Sequence, residues 1–233
     1  MKKISIIISL LLAATAGSLH AQSCSTGFCP ASITVHHKAG NISPVTGDIT
    51  YNVSQTNAFG AAAGGYCILD RNLGVTTLPT NYTDYANGAG WYFQFGRPRG
   101  WTTTTTSANL ATWVNNVYAT PGSSWSSTND PCNAMLGGAW RLPTLTEATA
   151  AWNTLSTATA FANWKISTTG TLDVANGALT AGPVYLYMWT ATYQSISSGY
   201  LILNWTGDGT GLRQSWTAYN QGCTVRCIKY FAN

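Results

Sequence analysis

Few side chains in this sequence are equipped for chemistry, and they fall into four groups. Asp70-Arg71 reads as a carboxylate acid with a cation to tune it, or as a strand end tied down by side-chain hydrogen bonds. His36 and His37 are adjacent. Neighbours on a strand point to opposite faces, so the two make a poor metal pair and read as an exposed polar strand end. Arg97 and Arg99, set beside the aromatic run 91–95 and Trp101, suggest stacking or anion binding, or an Arg/Trp stack inside the fold. The last group lies in Leu203–Trp216: Asn204, Trp205, Asp208, Arg213 and Trp216 could form a polar, aromatic-floored sugar site. Packing of Trp205 and Trp216 between strand and loop is the plainer alternative.

Catalysis finds little support in these residues. General acid–base work wants a histidine or a pair of carboxylates with separated pKa values. Beyond residue 21 the chain has one Glu, six Asp and two His. It has no nucleophile elbow, zinc-protease helix, phosphate loop or dinucleotide fingerprint. A non-enzymatic protein is the expectation.

The elements that would position these groups centre on Asn129–Trp152. A turn, Asn129-Asp130-Pro131, leads to Cys132, and a Gly137-Gly138 pair precedes Trp140-Arg141-Leu142-Pro143-Thr144. Pro143 biases Leu142 towards extended backbone, so Ala139–Leu142 reads as a short extended lead-in. Thr144 with Glu147 three residues on is a capping box. The helix it starts places Leu145, Ala148, Ala151, Trp152 and Leu155 near one face.

Around that centre the chain divides into three parts. Residues 1–21 read as an export signal: Lys2 and Lys3, an apolar run Ile4–Ala14, and a cleavage site at Leu19-His20-Ala21. Acylation at Cys24 is the competing reading, with Ala21-Gln22-Ser23 a poor lipobox. Residues 22–40 form an extension with one strand, Ala31–His37, and 41–233 form one domain. Without the signal, nine basic residues face seven acidic ones, a net charge of +2 that is too weak and scattered for nucleic acid. Charged residues make up 8% of the sequence, far below the usual quarter. Thr, Ser, Asn and Gly must therefore keep the surface soluble. Such a surface suits an uncharged partner, or a subunit packed among others.

Strands are expected at Asp48–Val53, Tyr66–Leu69, Val184–Tyr193, Tyr200–Trp205, Gln214–Tyr219 and Cys223–Tyr230. Asn109–Tyr118 reads as a short helix or strand, and 164–180 as a long loop with one strand. Thr102–Thr106 and Ser123–Thr128 read as polar loops. The fold class is α+β. Six cysteines beyond residue 21 imply an oxidising compartment and up to three bridges. Cys24 and Cys29 are close enough for a local clip. Cys223 and Cys227 would then pair back to Cys67 and Cys132.

In order along the chain stand Cys67…Asp70-Arg71-Asn72-Leu73-Gly74, Ala89–Arg97, Asn129-Asp130-Pro131-Cys132, Trp140-Arg141-Leu142-Pro143-Thr144, Trp189-Thr190-Ala191-Thr192 and Thr224-Val225-Arg226-Cys227. From about Asn41 to the end, this set resembles the Fibrobacter succinogenes major paralogous domain. That family of exported domains is common in the Bacteroidetes and related to C-type lectin-like and formylglycine-generating-enzyme folds. The resemblance implies a small twisted sheet with flanking helices, long loops, and terminal strands close together. It also implies that Cys132 and Cys227 form the family's bridge, closing a loop worth on the order of 4–5 kcal/mol. Cys223 departs from the family pattern, and its pairing with Cys67 is inferred.

The resemblance further implies a secreted or cell-surface protein without general catalytic activity, used in adhesion or ligand binding. Glycan or a surface protein is the expected partner, with no nucleic acid and no membrane span. A structural or tip subunit of a fimbrium-like appendage is the alternative. In that case Ile33–His37 would mediate homo- or hetero-assembly. Lectin-type calcium motifs are imitated only loosely by Asn204-Trp205 with Asp208, and calcium wants about six or more oxygens. No cofactor is expected, and calcium is the one ion the pattern leaves open.

Overall fold

The computed structural model describes residues 29–40, 42–60, 64–103, 113–115, 125–180, 185–193, 200–206 and 212–231. Most of Asn109–Tyr118, all of 1–28 and Asp208 lie outside them. The fold is mixed α+β, with few helices and curled, mainly antiparallel sheet.

Both ends of the described chain meet in one four-stranded antiparallel sheet. Its strands are β1 (Ser32–His37), β2 (Gly47–Thr56), β3 (Gly65–Leu69) and β12 (Ile228–Phe231), in the order β1-β2-β3-β12. β3 is buried along its whole length, because Cys67 and Leu69 face one core and Tyr66 and Ile68 the other. A six-stranded sheet holds β4 (Tyr92–Phe93), β5 (Gly100–Trp101), β8 (Tyr185–Trp189), β9 (Tyr200–Thr206), β10 (Leu212–Thr217) and β11 (Cys223–Thr224). They run in the order β10-β9-β8-β11-β4-β5, with the β8–β11 pair parallel. β6 (Thr171–Leu172) and β7 (Leu179–Thr180) form a separate hairpin. The single expected strand Cys223–Tyr230 is thus two. Val225-Arg226-Cys227 carries the chain from the larger sheet to the smaller.

Among the described residues, four helices pack around the sheets. α1 (Tyr85–Gly88) is one turn. α2 (Pro131–Leu136) starts where Asp130 accepts from the Cys132 and Asn133 amides, with proline at the first turn. α3 (Leu145–Thr154) carries the full capping box and buries Ala148, Ala151 and Trp152. α4 (Thr157–Trp164) is capped by Ser156 and stops at Lys165, which is left-handed at φ 50°. The lead-in to α3 is shorter than expected. Arg141 bridges Ile228, but Ala139 is left-handed at φ 70°, continuing the reversal begun by Gly137 and Gly138.

Every tryptophan whose side chain is described is buried, from Trp91 to Trp189. Phe95, Trp125 and Trp189 fill the core beside β4 and α2, and Phe59, Trp152 and Trp164 fill the one beneath α3 and α4. Trp101 and Trp113 meet edge-on in a third. The described tryptophans therefore serve core filling, while Tyr82 and Tyr230 remain exposed.

Among the described residues, two disulfides staple the fold. Cys132–Cys227 ties α2 to the segment between the sheets. Cys67 pairs with Cys29 in place of Cys223, which overturns both the Cys24–Cys29 clip and the Cys67–Cys223 bridge. The pleat explains this. Cys67 shares the Leu69 face of β3 with the chain entering β1, whereas Cys223 is a fully buried free thiol on β11 of the other sheet. Cys24 is outside the described residues.

Candidate functional site

Register, given by backbone alone, tests how the loop residues 204–216 can cooperate. β9 and β10 form the outer hairpin of the six-stranded sheet, with Asn204 opposite Arg213, Trp205 opposite Leu212 and Trp216 opposite Leu201. Alternation assigns positions 204 and 213 to one face of the ribbon and 205 and 216 to the other. On the inner side, position 205 aligns with Leu186 and position 204 with Tyr187; Leu186 is buried. The hairpin brings Asn204 and Arg213 together. It does not gather all five positions on one surface, and Asp208 is outside the described residues.

The other chemistry-bearing groups are mostly bound into the scaffold. Arg71 Nε and Nη2 each donate to the Asp70 carboxylate at 2.8 Å, and Asp70 also accepts from the Asn52 amide and side chain. This is the arrangement of a strand end tied down by side-chain hydrogen bonds. Asp130 holds the Leu142 amide at 2.9 Å while capping α2, and burial raises its pKa despite those hydrogen bonds.

Glu147 is a densely engaged carboxylate. Arg141 donates to both its oxygens at 2.7 and 2.6 Å, Tyr66 Oη donates at 2.7 Å, and the Thr144 amide at 2.8 Å. Burial pushes its pKa up, yet the bonds from Arg141, Thr144 and Tyr66 outweigh burial and hold it down to about 2. The Trp140-Arg141-Leu142-Pro143-Thr144…Glu147 motif is thus a joint. It fastens α3 to β3 through Tyr66, and its Arg141 pairs with Ile228 of β12, while Pro143 O accepts from the Ala191 amide after β8.

His37 departs from the expected exposed strand end. It is buried, with its ring edge-on to Trp91 at 4.7 Å and Nε2 3.2 Å from Tyr51 Oη. Tyr51 Oη accepts from the Gly74 amide, so its own proton is left for an unprotonated Nε2. Burial and then the neighbouring His36 lower the pKa of His37 to about 4, against a small upward pull from Asp48. His36 points outward as expected and meets Asp48 at 2.6 Å. Arg97 is exposed and Arg99 half-buried. Among the described residues the cation–π contact belongs to Lys165 over Phe161, so the Arg/Trp stack does not form.

Arg226 is the group sequence reasoning missed. Fully buried, it donates from Nε to Asn72 Oδ1 at 3.0 Å and from Nη1 to Leu69 O and Trp164 O at 2.9 and 2.5 Å. Desolvation lowers its pKa to about 9, partly countered by Asp70. The available signal was an arginine standing between Val225 and Cys227 in an otherwise apolar tail.

Among the described residues no cluster of three or more His, Cys, Asp or Glu could hold a metal ion, and no helix is long and apolar enough to cross a membrane. A small cleft of about 160 Å³ lies over Trp91, walled by Thr76, Thr77, Asn87 and Thr102. Searches of family models, curated proteins and solved structures each find nothing that matches this chain.

Proposed function

We propose that this is an exported, non-catalytic binding or adhesion protein of the cell surface, recognising an uncharged glycan or a surface partner. The observation that carries the reading is the employment of its charged groups. Asp70, Asp130, Glu147, Arg71, Arg141 and Arg226 are all spent on holding strands, caps and turns together. Little ionic chemistry remains for catalysis, while the exposed positions are largely threonine, serine and asparagine. Two disulfides fit an oxidising compartment.

The Fibrobacter major paralogous, C-type lectin-like assignment belongs to the same proposal. It is supported by terminal strands sharing one sheet, by the helix-to-tail bridge Cys132–Cys227 and by the loop-rich larger sheet. The alternative of a fimbrial subunit using residues 33–37 in trans is less well supported. Those residues already pair with β2, four positions after a cysteine bonded to β3. A glycan array on the oxidised protein, followed by thermal unfolding with and without calcium, tests the proposal. A ligand that raises Tm in a concentration-dependent way supports it. Turnover of an array component, lost on a single Asp→Asn change that leaves the fold intact, would replace it with an enzyme.

A further inference from the structure

A second cleft, of about 300 Å³, opens where the end of β2 meets the end of α4. It is lined by Ser54, Gln55, Thr56, Leu155, Asn163 and Trp164. That volume is at the lower limit of ordinary small-molecule sites. None of the six residues is charged, and the nearby Lys165 has its Nζ 4.9 Å from the Phe161 ring centroid.

The apolar part is rigid. Trp164 stacks on Phe59 at 5.6 Å and 17°, meets Trp152 edge-on at 5.9 Å, and accepts from Arg226 through its carbonyl. The polar part is unspent. Among the described residues the side chains of Ser54, Gln55 and Asn163 have no partner, and Thr56 Oγ1 accepts only from the Ala58 amide. β1 stops pairing at Asn52, so residues 54–56 pair only with β3 among the described residues and keep an open outer rim.

Carboxamides donate and accept at once, and hydroxyls do the same. A carboxamide and two hydroxyls beside a fixed aliphatic and aromatic edge match a ligand that is neutral, hydroxylated and carries an amide with an apolar tip. We propose that this cleft binds an N-acetylated hexose unit. Asn163 with the Ser54 and Thr56 hydroxyls, which share the Tyr66–Ile68 face of the sheet, takes the acetamido and hydroxyl groups, and the methyl lies towards Leu155 and Trp164; Gln55, paired with Cys67, lines the cleft only from the opposite face of its strand. This rests on the reading of the protein as a binder of uncharged glycans, and assigns the contact to residues other than those of the β9–β10 hairpin.

The test is an NMR titration of the oxidised protein with N-acetyl-D-glucosamine, alongside D-glucose, which has the ring without the acetamido group. A neutral glycan array is run in parallel. Shifts confined to the amides of 54–56, 155 and 163–164, preference over glucose, and roughly ten-fold weaker binding in Asn163→Ala would support the cleft. Asn163 is exposed near the end of α4, so an unchanged Tm keeps that variant informative. Binding that survives Asn163→Ala and Ser54→Ala but is lost in Asn204→Ala/Arg213→Ala overturns the cleft and leaves the glycan reading standing. Array binding to neutral sugars without any response to N-acetyl-D-glucosamine overturns the ligand class. No binding to any neutral sugar removes both.

Discussion

At the scale of single residues, Glu147 and His37 divide the acid response of the protein between them. Glu147 has a folded pKa held down to about 2, so its contribution to stability is complete above the ordinary carboxylate range and is lost as pH falls from there towards 2. His37 has a folded pKa lowered to about 4. Its neutral form is the one the fold accommodates, so stability is complete above the ordinary histidine range and is lost as pH falls towards 4. Titrating from neutrality should therefore weaken the fold in two stages, histidine first. His37→Phe keeps an aromatic ring against Trp91 and removes the titration; urea unfolding should then show a flat stability from pH 6.5 down to about 5, while the lower stage persists. A variant retaining the full slope in that window would mean that another group titrates there. Glu147→Gln cannot accept from Arg141 and Tyr66 as a carboxylate does, and should cost about 1–3 kcal/mol near neutrality, read as a lower urea midpoint at constant m.

At the scale of elements, what could be read from the sequence was what local chemistry specifies. Thr144…Glu147 announced α3 because both halves of a capping box lie within four residues; alternation in 48–53 announced β2, and the apolar run 66–69 after a glycine-rich loop announced β3. Thr144→Ala should lower stability by about 1 kcal/mol through loss of the cap, measurable as a shift in urea midpoint. Elements set by distant partners were not legible. α4 is a run of Thr, Ala and aromatics without a stripe, and it forms because Phe59, Trp152 and Arg226 receive Trp164. α2 had its signal, Asp130-Pro131, but that pair reads equally as a turn. His37 was misassigned because its burial depends on Trp91 and Tyr51, far along the chain. The five-residue hairpin site shows the converse. Composition suggested a cluster, and register, which composition does not encode, separates its members by face. Arg226→Met tests the long-range kind of element. It strips donors from Asn72, Leu69 and Trp164, and hydrogen exchange should show α4 and the 70–74 turn losing protection together.

At the scale of the whole molecule, the two disulfides differ in what they hold more than in how long a loop they close. Loop entropy grows only with the logarithm of length. The separations of 38 and 95 residues thus differ by less than about 1 kcal/mol in the chain-entropy model. Cys132–Cys227 lies at the passage between the two sheets, beside the Arg141–Ile228 bridge, so removing it loosens the joint on which both cores rest. Cys29–Cys67 holds only the entry to β1, an edge strand paired on one side. Replacing Cys132 and Cys227 by alanine should therefore reduce global stability by about 4–5 kcal/mol and expose most amides together. Replacing Cys29 and Cys67 should release β1 first, seen as rapid exchange at 32–37 while β3 and β12 stay protected. The same release decides whether this strand can serve a neighbour. Tethered, it completes its own sheet; untethered, it presents an open strand and an open β2 edge, the two halves of a strand exchange. Light scattering should find the oxidised protein without assembly that depends on residues 22–40. Concentration-dependent assembly should arise in the Cys29→Ala/Cys67→Ala variant, and be abolished when 22–40 are deleted from it. Assembly by the oxidised wild type that vanishes on the same deletion would show that β1 works in trans despite its bond to β3, and would favour the appendage subunit over the binder.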